Sequence, residues 1–444
     1  LTAKDLLPAV QKAVALGAEK TVRLDRRWKA IDGAPVITQD GRYAARSWTQ
    51  WTQGFQYGNA LLCFDMMDDQ SLLAMAKRHT VADMAEHISH TGVHDHGFNN
   101  ISTYGNLRRL MLQGRIPANE GELNFYELAL KVSGAVQAAR WTGLEDGLGY
   151  IYSFNGAHSL FIDTIRTLRI CCMAHSLGHT LQGEQDERIN LLDRALTHAL
   201  TSAKYNVYYG EGRDQYDRPA VRGRTVHEAV FNPASGIFRC PSTQQGYSAF
   251  TTWTRGLAWG MLGFSELLEF LRTQPATEPE TLAIFEKAAR AECDFYIQQA
   301  AALDGICYWD TGAPQLYRLG DWQSKPADPY NDFEPVDASA SAIAAQGLLR
   351  LGHVLGASGQ AYTQAGYTIA ARLLEEPYLS TQPDHEGLLL QSIYHHPNGW
   401  DRVPPGGKVP SGESSMWGDY HLLELCLLIT RLANQSYYTF FDAS

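Results

Sequence analysis

Two kinds of helical periodicity alternate along this chain, and that alternation restricts its fold more than any other feature. Apolar residues at i, i+3, i+4 and i+7 mark about twelve helical segments, near 3–19, 49–63, 69–88, 98–114, 119–141, 158–176, 183–203, 250–272, 278–302, 337–356, 360–375 and 415–432. The odd members, such as DDQSLLAMAKRHTVADMAEHI and ATEPETLAIFEKAARAECDFYI, carry one apolar stripe and one charged face. The even members, such as AHSLFIDTIRTLRICCMAHSLG and DASASAIAAQGLLRLGHVLG, are small or apolar most of the way round and must be buried on more than one side. Half-buried helices alternating with buried ones predict an all-α fold in two concentric layers, six helices inside six. A chain of 444 residues suits one closed toroid of that size. No Pro/Ser/Gly linker or charge run divides it, so 1–444 reads as a single domain. Strand-like alternation is scarce, and no heptad or fixed repeat supports a coiled coil or an open solenoid. The longer connections, 20–48, 204–249, 303–336 and 376–414, hold most of the remaining prolines and aromatics and are expected to wall a pocket.

A net charge of −11 and the lack of a basic stripe argue against a nucleic-acid partner. The apolar runs are too short and interrupted to span a bilayer. Seven cysteines, odd in number and without a C-x-x-C pair, read as free core thiols. They favour a reducing, cytoplasmic location; the chain opens at Leu1 rather than Met, which keeps the periplasm open as the alternative.

The unusual polar residues cluster at the starts of the even segments: Trp51 in SWTQWTQGF, Asp95 in HDHGF, Asp163 in FIDTIR, Trp253 and Arg255 in TWTRGLAW, Asp337 in PVDASAS, and Trp417 with Asp419 in SSMWGDY. If the inner helices run parallel, these meet at one mouth. Helix capping accounts for Asp337 and is an alternative for Asp95. Asp163, placed within a helix among Phe161, Ile162, Ile165 and Leu168, is harder to dismiss, because buried carboxylates are rare unless paired or functional. Ser248, Thr251 and Thr252 offer caps for a helix beginning near Phe250. Arg255 and Trp259, four apart, share its face, which sets a planar cation beside an indole and suits a flat anionic ring; an Arg stacked on Trp at a core edge is the plainer alternative. Two carboxylates from successive inner helices are the minimum for general acid/base work on a sugar. His94-Asp95-His96 has metal-like residues but no third ligand group in register, and the pair His175/His179 lacks the glutamate of a zincin motif, so no metal is expected. No nucleophile elbow or phosphate-binding glycine loop is present.

Taken together, WTQGF, HDHGF, IDTIRTL, His227, Gln245, TWTRGLAWG, VDASASAIAAQGLL and SSMWGDYHLLE resemble, in order and over about residues 48–430, the unsaturated glucuronyl hydrolases of glycoside hydrolase family 88. The resemblance implies a six-hairpin (α/α)6 barrel that works without a cofactor. It would remove the 4,5-unsaturated uronic acid that a polysaccharide lyase leaves at the non-reducing end of an oligosaccharide. It assigns the acid/base role to Asp163, the partner carboxylate to Asp95, and substrate contacts to Trp51, His227, Gln245, Trp253, Arg255 and Trp259. Desolvation by the tryptophans and repulsion from Asp95 are expected to raise the pKa of Asp163. Lys408, the lysine of HHPNGWDRVPPGGKVPSGES, is a candidate contact to an acidic group on the second sugar, with a solvated surface lysine as the alternative. His96, Leu257, Arg166 and Arg169 depart from the family's pattern. An unsaturated rhamnogalacturonyl hydrolase, a lyase or ordinary hydrolase on the same barrel, and a non-catalytic carbohydrate-binding toroid are the competing readings.

Overall fold

The computed structural model of the protein describes residues 1–46, 50–275 and 277–441; Ser47, Trp48 and Thr49, which begin the first of the mouth motifs and the second expected helix, lie outside the described residues. Among the described residues, twelve helical elements build the body: α1 (Ala3–Arg27), α2 (Gln53–Met67), α3 (Gln70–Asp83), α4 (96–112), α5 (Glu120–Ala139), α6 (164–176), α7 (Leu191–Tyr205), α8 (Thr254–Leu271), α9 (Pro279–Phe295), α10 (Ala338–Leu355), α11 (Gln360–Leu373) and α12 (Met416–Ala433). A π turn at Ile101–Gly105 lies within α4, and α6 is formed by Thr164–Thr167 and Arg169–Ser176. The even helices contact one another in the cyclic order α2, α4, α6, α8, α10, α12 and back to α2, while α1 lies across α12 and α2, and α3, α5, α7, α9 and α11 back onto the ring. The two expected layers are present: every residue of α8 is buried, whereas only seven of the twenty in α5 are.

The small residues of the inner helices let the ring close. A Cβ on Gly97 of α4 would lie 2.2 Å from the Thr167 carbonyl oxygen of α6, and one on Gly347 of α10 would lie 2.9 Å from the Leu262 amide of α8. Helices with side chains at these points could not approach so closely.

The half of the ring beyond the helix N-termini holds a buried ionic network. Arg166 pairs with Glu266 and, at 2.8 Å, with Glu424; Arg350 pairs with Glu269 at 2.8 Å; Asp65 receives Arg109 at 2.7 Å and Arg431 at 2.8 Å. Tyr437 and Tyr438 of the C-terminal tail donate hydroxyls to Glu269 and Glu424 across that end.

Nine short strands among the described residues add to the helices: β1 (Pro35–Gln39), β2 (Arg42–Ala45), β3 (Trp141–Gly143), β4 (Gly149–Ile151), β5 (Ser159–Phe161), β6 (Thr180–Gln182), β7 (Arg188–Asn190), β8 (Glu228–Asn232) and β9 (Ile237–Ser242). They pair antiparallel as β1–β2, β3–β4, β6–β7 and the sheet β5–β8–β9. Three expectations change accordingly. Residues 158–163 form β5 and a turn, so α6 starts only at Thr164; 183–190 supplies β7 before α7; and α8 starts at Thr254. Ser248, Thr251 and Thr252 do not cap α8. The Ser248 amide donates to Thr251 Oγ1 and the Thr225 amide to Thr252 Oγ1, while the free amide of Thr254 finds the Trp309 carbonyl at 3.1 Å. All seven cysteines are unpaired; six are buried and Cys240 on β9 is exposed, which corrects its reading as a core thiol. No helix among the described residues is long and apolar enough to cross a membrane.

Candidate active site

Strand pairing places the first two site residues. β5 and β8 align Phe161 with Glu228, and the ladder runs one step further as Ile162 N–H donates to the His227 carbonyl at 2.9 Å. The chain therefore leaves β5 directly into Asp163, at the N-cap position of α6, and enters β8 directly from His227. Asp163 makes no side-chain cap bond, and neither does Asp95 at the same position of α4. Capping, the alternative for Asp95, does not explain it, and Asp163 precedes its helix rather than sitting inside it. The tight contact of Gly97 with Thr167, reinforced by Thr167 Oγ1 donating to the His94 carbonyl at 2.8 Å, brings these two helix starts together.

His94 joins the two carboxylates. Its Nδ1 accepts the Phe154 amide at 3.3 Å, so the neutral ring carries its proton on Nε2, which donates to Asp163 Oδ1 at 3.1 Å and lies 3.6 Å from Asp95 Oδ1. Burial alone would raise the pKa of Asp163, but the hydrogen bond and charge of His94, with the charge of Arg255, outweigh it and hold the group below its ordinary value. This corrects the expected rise. For Asp95, burial dominates and repulsion from Asp163 adds to it, so its pKa lies above the ordinary value despite His94. His94 is also raised: burial opposes the charged ring, but both carboxylates favour it.

These groups face a cavity of about 420 Å³ at the N-terminal ends of the inner helices. Trp51, Asp95, Asp163, Gln245, Trp253, Arg255 and Trp259 all line it, as the sequence led us to expect. Trp51 stacks on Trp417 with centroids 5.1 Å apart, and Trp259 packs on Phe98 at 4.8 Å and edge-on to His421 at 4.9 Å. Arg255 is differently placed from expectation. Its guanidinium lies over Trp253 at 4.7 Å and Trp417 at 4.9 Å rather than over Trp259. Its donors go to Asp337 at 2.9 Å, to Gln245 Oε1 and the Tyr394 carbonyl at 2.7 Å each, and to the Ile393 carbonyl. It lends charge to the cavity while its fork is engaged by the protein. Asp337 does cap α10, accepting the Ser339 and Ala340 amides, and has this second partner as well.

His227 is behind the wall instead of in it. Its ring lies against Phe161 at 4.3 Å and Trp253 at 4.6 Å, and Nδ1 faces the Gln244 and Gln245 amides. Nε2 then carries the proton and has no hydrogen-bond partner among the described residues; burial drives the ring's pKa down to about 4, so it is neutral. Lys408 is not brought together with the other expected site residues: it lies outside the cavity lining, exposed and 2.7 Å from Asp332. His96 faces α5, where Ser133 Oγ lies 2.8 Å from its Nδ1, so HDH does not converge as a ligand set. Asp419 holds the Leu388 and Leu389 amides and the Tyr43 hydroxyl, a structural anchor outside the cavity.

Sequence reasoning missed His94, Phe98, Phe154, Tyr394, His395 and Trp400, all of which line the cavity. The one available signal was the adjacency of His94 to Asp95, which was weighed only as a metal pattern. Tyr394 to Trp400 belong to a connection without periodicity.

Fold and cavity define the class, an (α/α)6 barrel with an acidic, aromatic-walled pocket at the N-terminal ends of its inner helices. No protein-family model matches the chain. Among curated proteins it is similar to the unsaturated glucuronyl hydrolase of Bacillus sp. (strain GL1), 26% identical over 402 residues that cover 89% of this chain and 90% of that one. It is also similar to the unsaturated chondroitin disaccharide hydrolase of Streptococcus pyogenes serotype M1, 24% identical with 96% and 92% covered. The crystal structure of the Bacillus sp. GL1 unsaturated glucuronyl hydrolase superposes with a TM-score of 0.72 at 22% identity, covering 95% of this chain and 97% of that one. The chain is thus similar over most of its length to unsaturated glucuronyl hydrolases, and the resemblance drawn from its motifs is borne out.

Proposed function

We propose that this protein is a glycoside hydrolase that removes a 4,5-unsaturated uronic acid from the non-reducing end of lyase-generated oligosaccharides. The observation that carries the reading is the Asp163–His94–Asp95 arrangement on the floor of an aromatic-walled cavity, in a chain whose relatives carry unsaturated glucuronyl and unsaturated chondroitin disaccharide hydrolase names.

The substrate is an enol ether. Asp163 donates its proton to C4, cationic character develops at C5 and the ring oxygen, and water adds to C5 while returning a proton to Asp163. The resulting hemiketal opens and releases the remaining sugar. Asp163 must begin protonated, yet the protein groups around it hold its pKa low. The substrate's own carboxylate resolves this, because a second negative charge in a buried pocket raises the pKa of the group beside it. Trp51, Trp253 and Trp259 exclude water and offer faces for the ring, and Gln245 supplies an amide. Asp95 accepts ring hydroxyls. The unpaired thiols support a reducing, cytoplasmic setting.

The test is to incubate the protein with unsaturated uronate disaccharides and follow the ultraviolet absorbance of the conjugated enoate. Its loss supports the reading. A gain would indicate a lyase, release of reducing sugar without change an ordinary hydrolase, and binding without turnover a carbohydrate-binding toroid.

A further inference from the structure

One wall of the cavity is a loop gripped by charge from both sides. Arg255 donates to the carbonyls of Ile393 and Tyr394. From the other side Asp401 accepts the Tyr394 amide on Oδ1 and the His395 amide on Oδ2, the latter at 3.0 Å. Asp337, the ion-pair partner of Arg255, takes the Ile393 amide at 3.4 Å. We propose that Asp401 is a positioning residue for the reaction: with Arg255 on the carbonyls and Asp401 on the amides, the loop is fixed so that Tyr394, His395 and Trp400 meet the substrate. The proposal rests on the function stated above.

Three observations carry it. Asp401 is buried and does not line the cavity, whereas Tyr394, His395 and Trp400 do. Those three rings pack on one another, Trp400 lying 5.3 Å from Tyr394 and 4.9 Å from His395, so whatever fixes the backbone at 394–395 fixes the whole wall. Tyr394 also touches Trp417, at 5.0 Å, and its hydroxyl receives Trp51 Nε1 at 3.5 Å, which links the loop to the stacking face opposite. A buried carboxylate is costly unless its oxygens are matched by donors, and here each oxygen has one backbone amide.

Asp401→Asn keeps the shape but presents an NH2 group to one of the two amides, so one bond becomes a donor–donor contact. The variant and the wild type are compared at about pH 8, above the value of about 6 to which burial raises the Asp401 carboxyl. Two measurements are made. Hydrogen exchange followed by mass spectrometry should show amides in 390–402 exchanging at least about tenfold faster, with α10 unchanged. Steady-state turnover of an unsaturated disaccharide should show KM raised about tenfold and kcat within about threefold, the signature of lost uniform binding. Asp401→Glu, which retains the charge, should fall between the two in KM and serves alone if the amide variant does not fold. Unchanged exchange in 390–402 would overturn the clamp. Faster exchange with unchanged KM, or a fall in kcat alone, would overturn the positioning role. Absence of turnover by the wild type would sink the function reading and with it this role, while exchange would still decide whether Asp401 holds the loop.

Discussion

Helix α6 joins two regions that use the same residue types for opposite ends. At its start, Asp163 lies 3.1 Å from His94 Nε2, which also lies 3.6 Å from Asp95, and faces a cavity. One turn further along, Arg166 and Arg169 enter a buried network in which Arg166 has two carboxylates in direct contact. In the far half, cation and anion are matched, and the Glu424 carboxyl, which burial alone would raise, is held far below its ordinary value by Arg166, Arg169 and their neighbours. At the mouth, two carboxylates are served by one histidine and a distant, engaged arginine, and their pKa values are pushed in opposite directions. Matching produces rigidity; the incomplete match leaves groups able to change protonation state. Arg166 and Arg169, which depart from the pattern expected after Asp163, make sense as members of the far network.

The sharpest way to break this contrast is a neutral substitution at each end. Asp163→Asn should lower kcat by roughly 10²–10⁴-fold while the protein melts near the wild-type temperature and still binds the unsaturated disaccharide in calorimetry. Retention of more than about a tenth of the rate would move the acid/base role to Asp95. Arg166→Met should do the reverse. It leaves Glu266 and Glu424 buried without their shared partner, which costs about 3–5 kcal/mol in denaturant unfolding, whereas the kcat/KM of folded enzyme should change little. A large kinetic defect without loss of stability would show that the two ends are not separable.

Arg255 lies between these extremes, stacked like a pocket residue yet bonded like a network one. Arg255→Lys retains charge but cannot reach Asp337, Gln245 and two carbonyls from one planar fork, so kcat/KM should drop by about tenfold or more; near-wild-type kinetics would make the fork dispensable.

A smaller effect tests the electrostatics of the mouth. The proposed acid role requires Asp163 to be protonated, so activity should be lost as pH rises through its pKa. His94→Gln keeps a donor but removes the charge that depresses Asp163. The pKa should rise and the alkaline limb of the kcat/KM profile should move to higher pH by about one unit. A shift toward acid would contradict the assignment of His94. For the same reason the alkaline limb of wild-type kcat, measured with the anionic substrate bound, should lie above that of kcat/KM. The smallest effect is expected at Lys408, paired with Asp332 on the surface: Lys408→Ala should change kcat/KM less than about twofold on neutral and sulfated disaccharides alike, and a selective loss on sulfated ones would restore its proposed role.

The ring itself was legible because helix periodicity and the Gly/Ala/Ser content of the even helices are local properties that mirror burial. Asp95, Asp163, Trp253 and Trp259 were legible because polar or bulky residues at the start of an inner helix break that pattern. The role of His94 was not, since which ring nitrogen bonds to Asp163 is decided by the Phe154 amide, sixty positions away in sequence. The engagement of Arg255 by Ile393, Tyr394 and Asp337 depends likewise on loop geometry without periodicity. The three-residue strands β3–β7 escaped notice because so short a run cannot display alternation, and β5 in particular converted the expected interior of a helix into its approach.

One last consequence concerns the order in which the chain is made. Thr38 of β1 donates its amide to the Ser414 carbonyl at 2.8 Å just before α12, a contact spanning 376 positions, and Trp51 near the beginning stacks on Trp417 near the end. A growing polypeptide therefore carries both aspartates long before the indole that backs Trp51 exists. Contacts this distant in sequence form late and slowly, so the pocket is completed only once α12 has joined the ring.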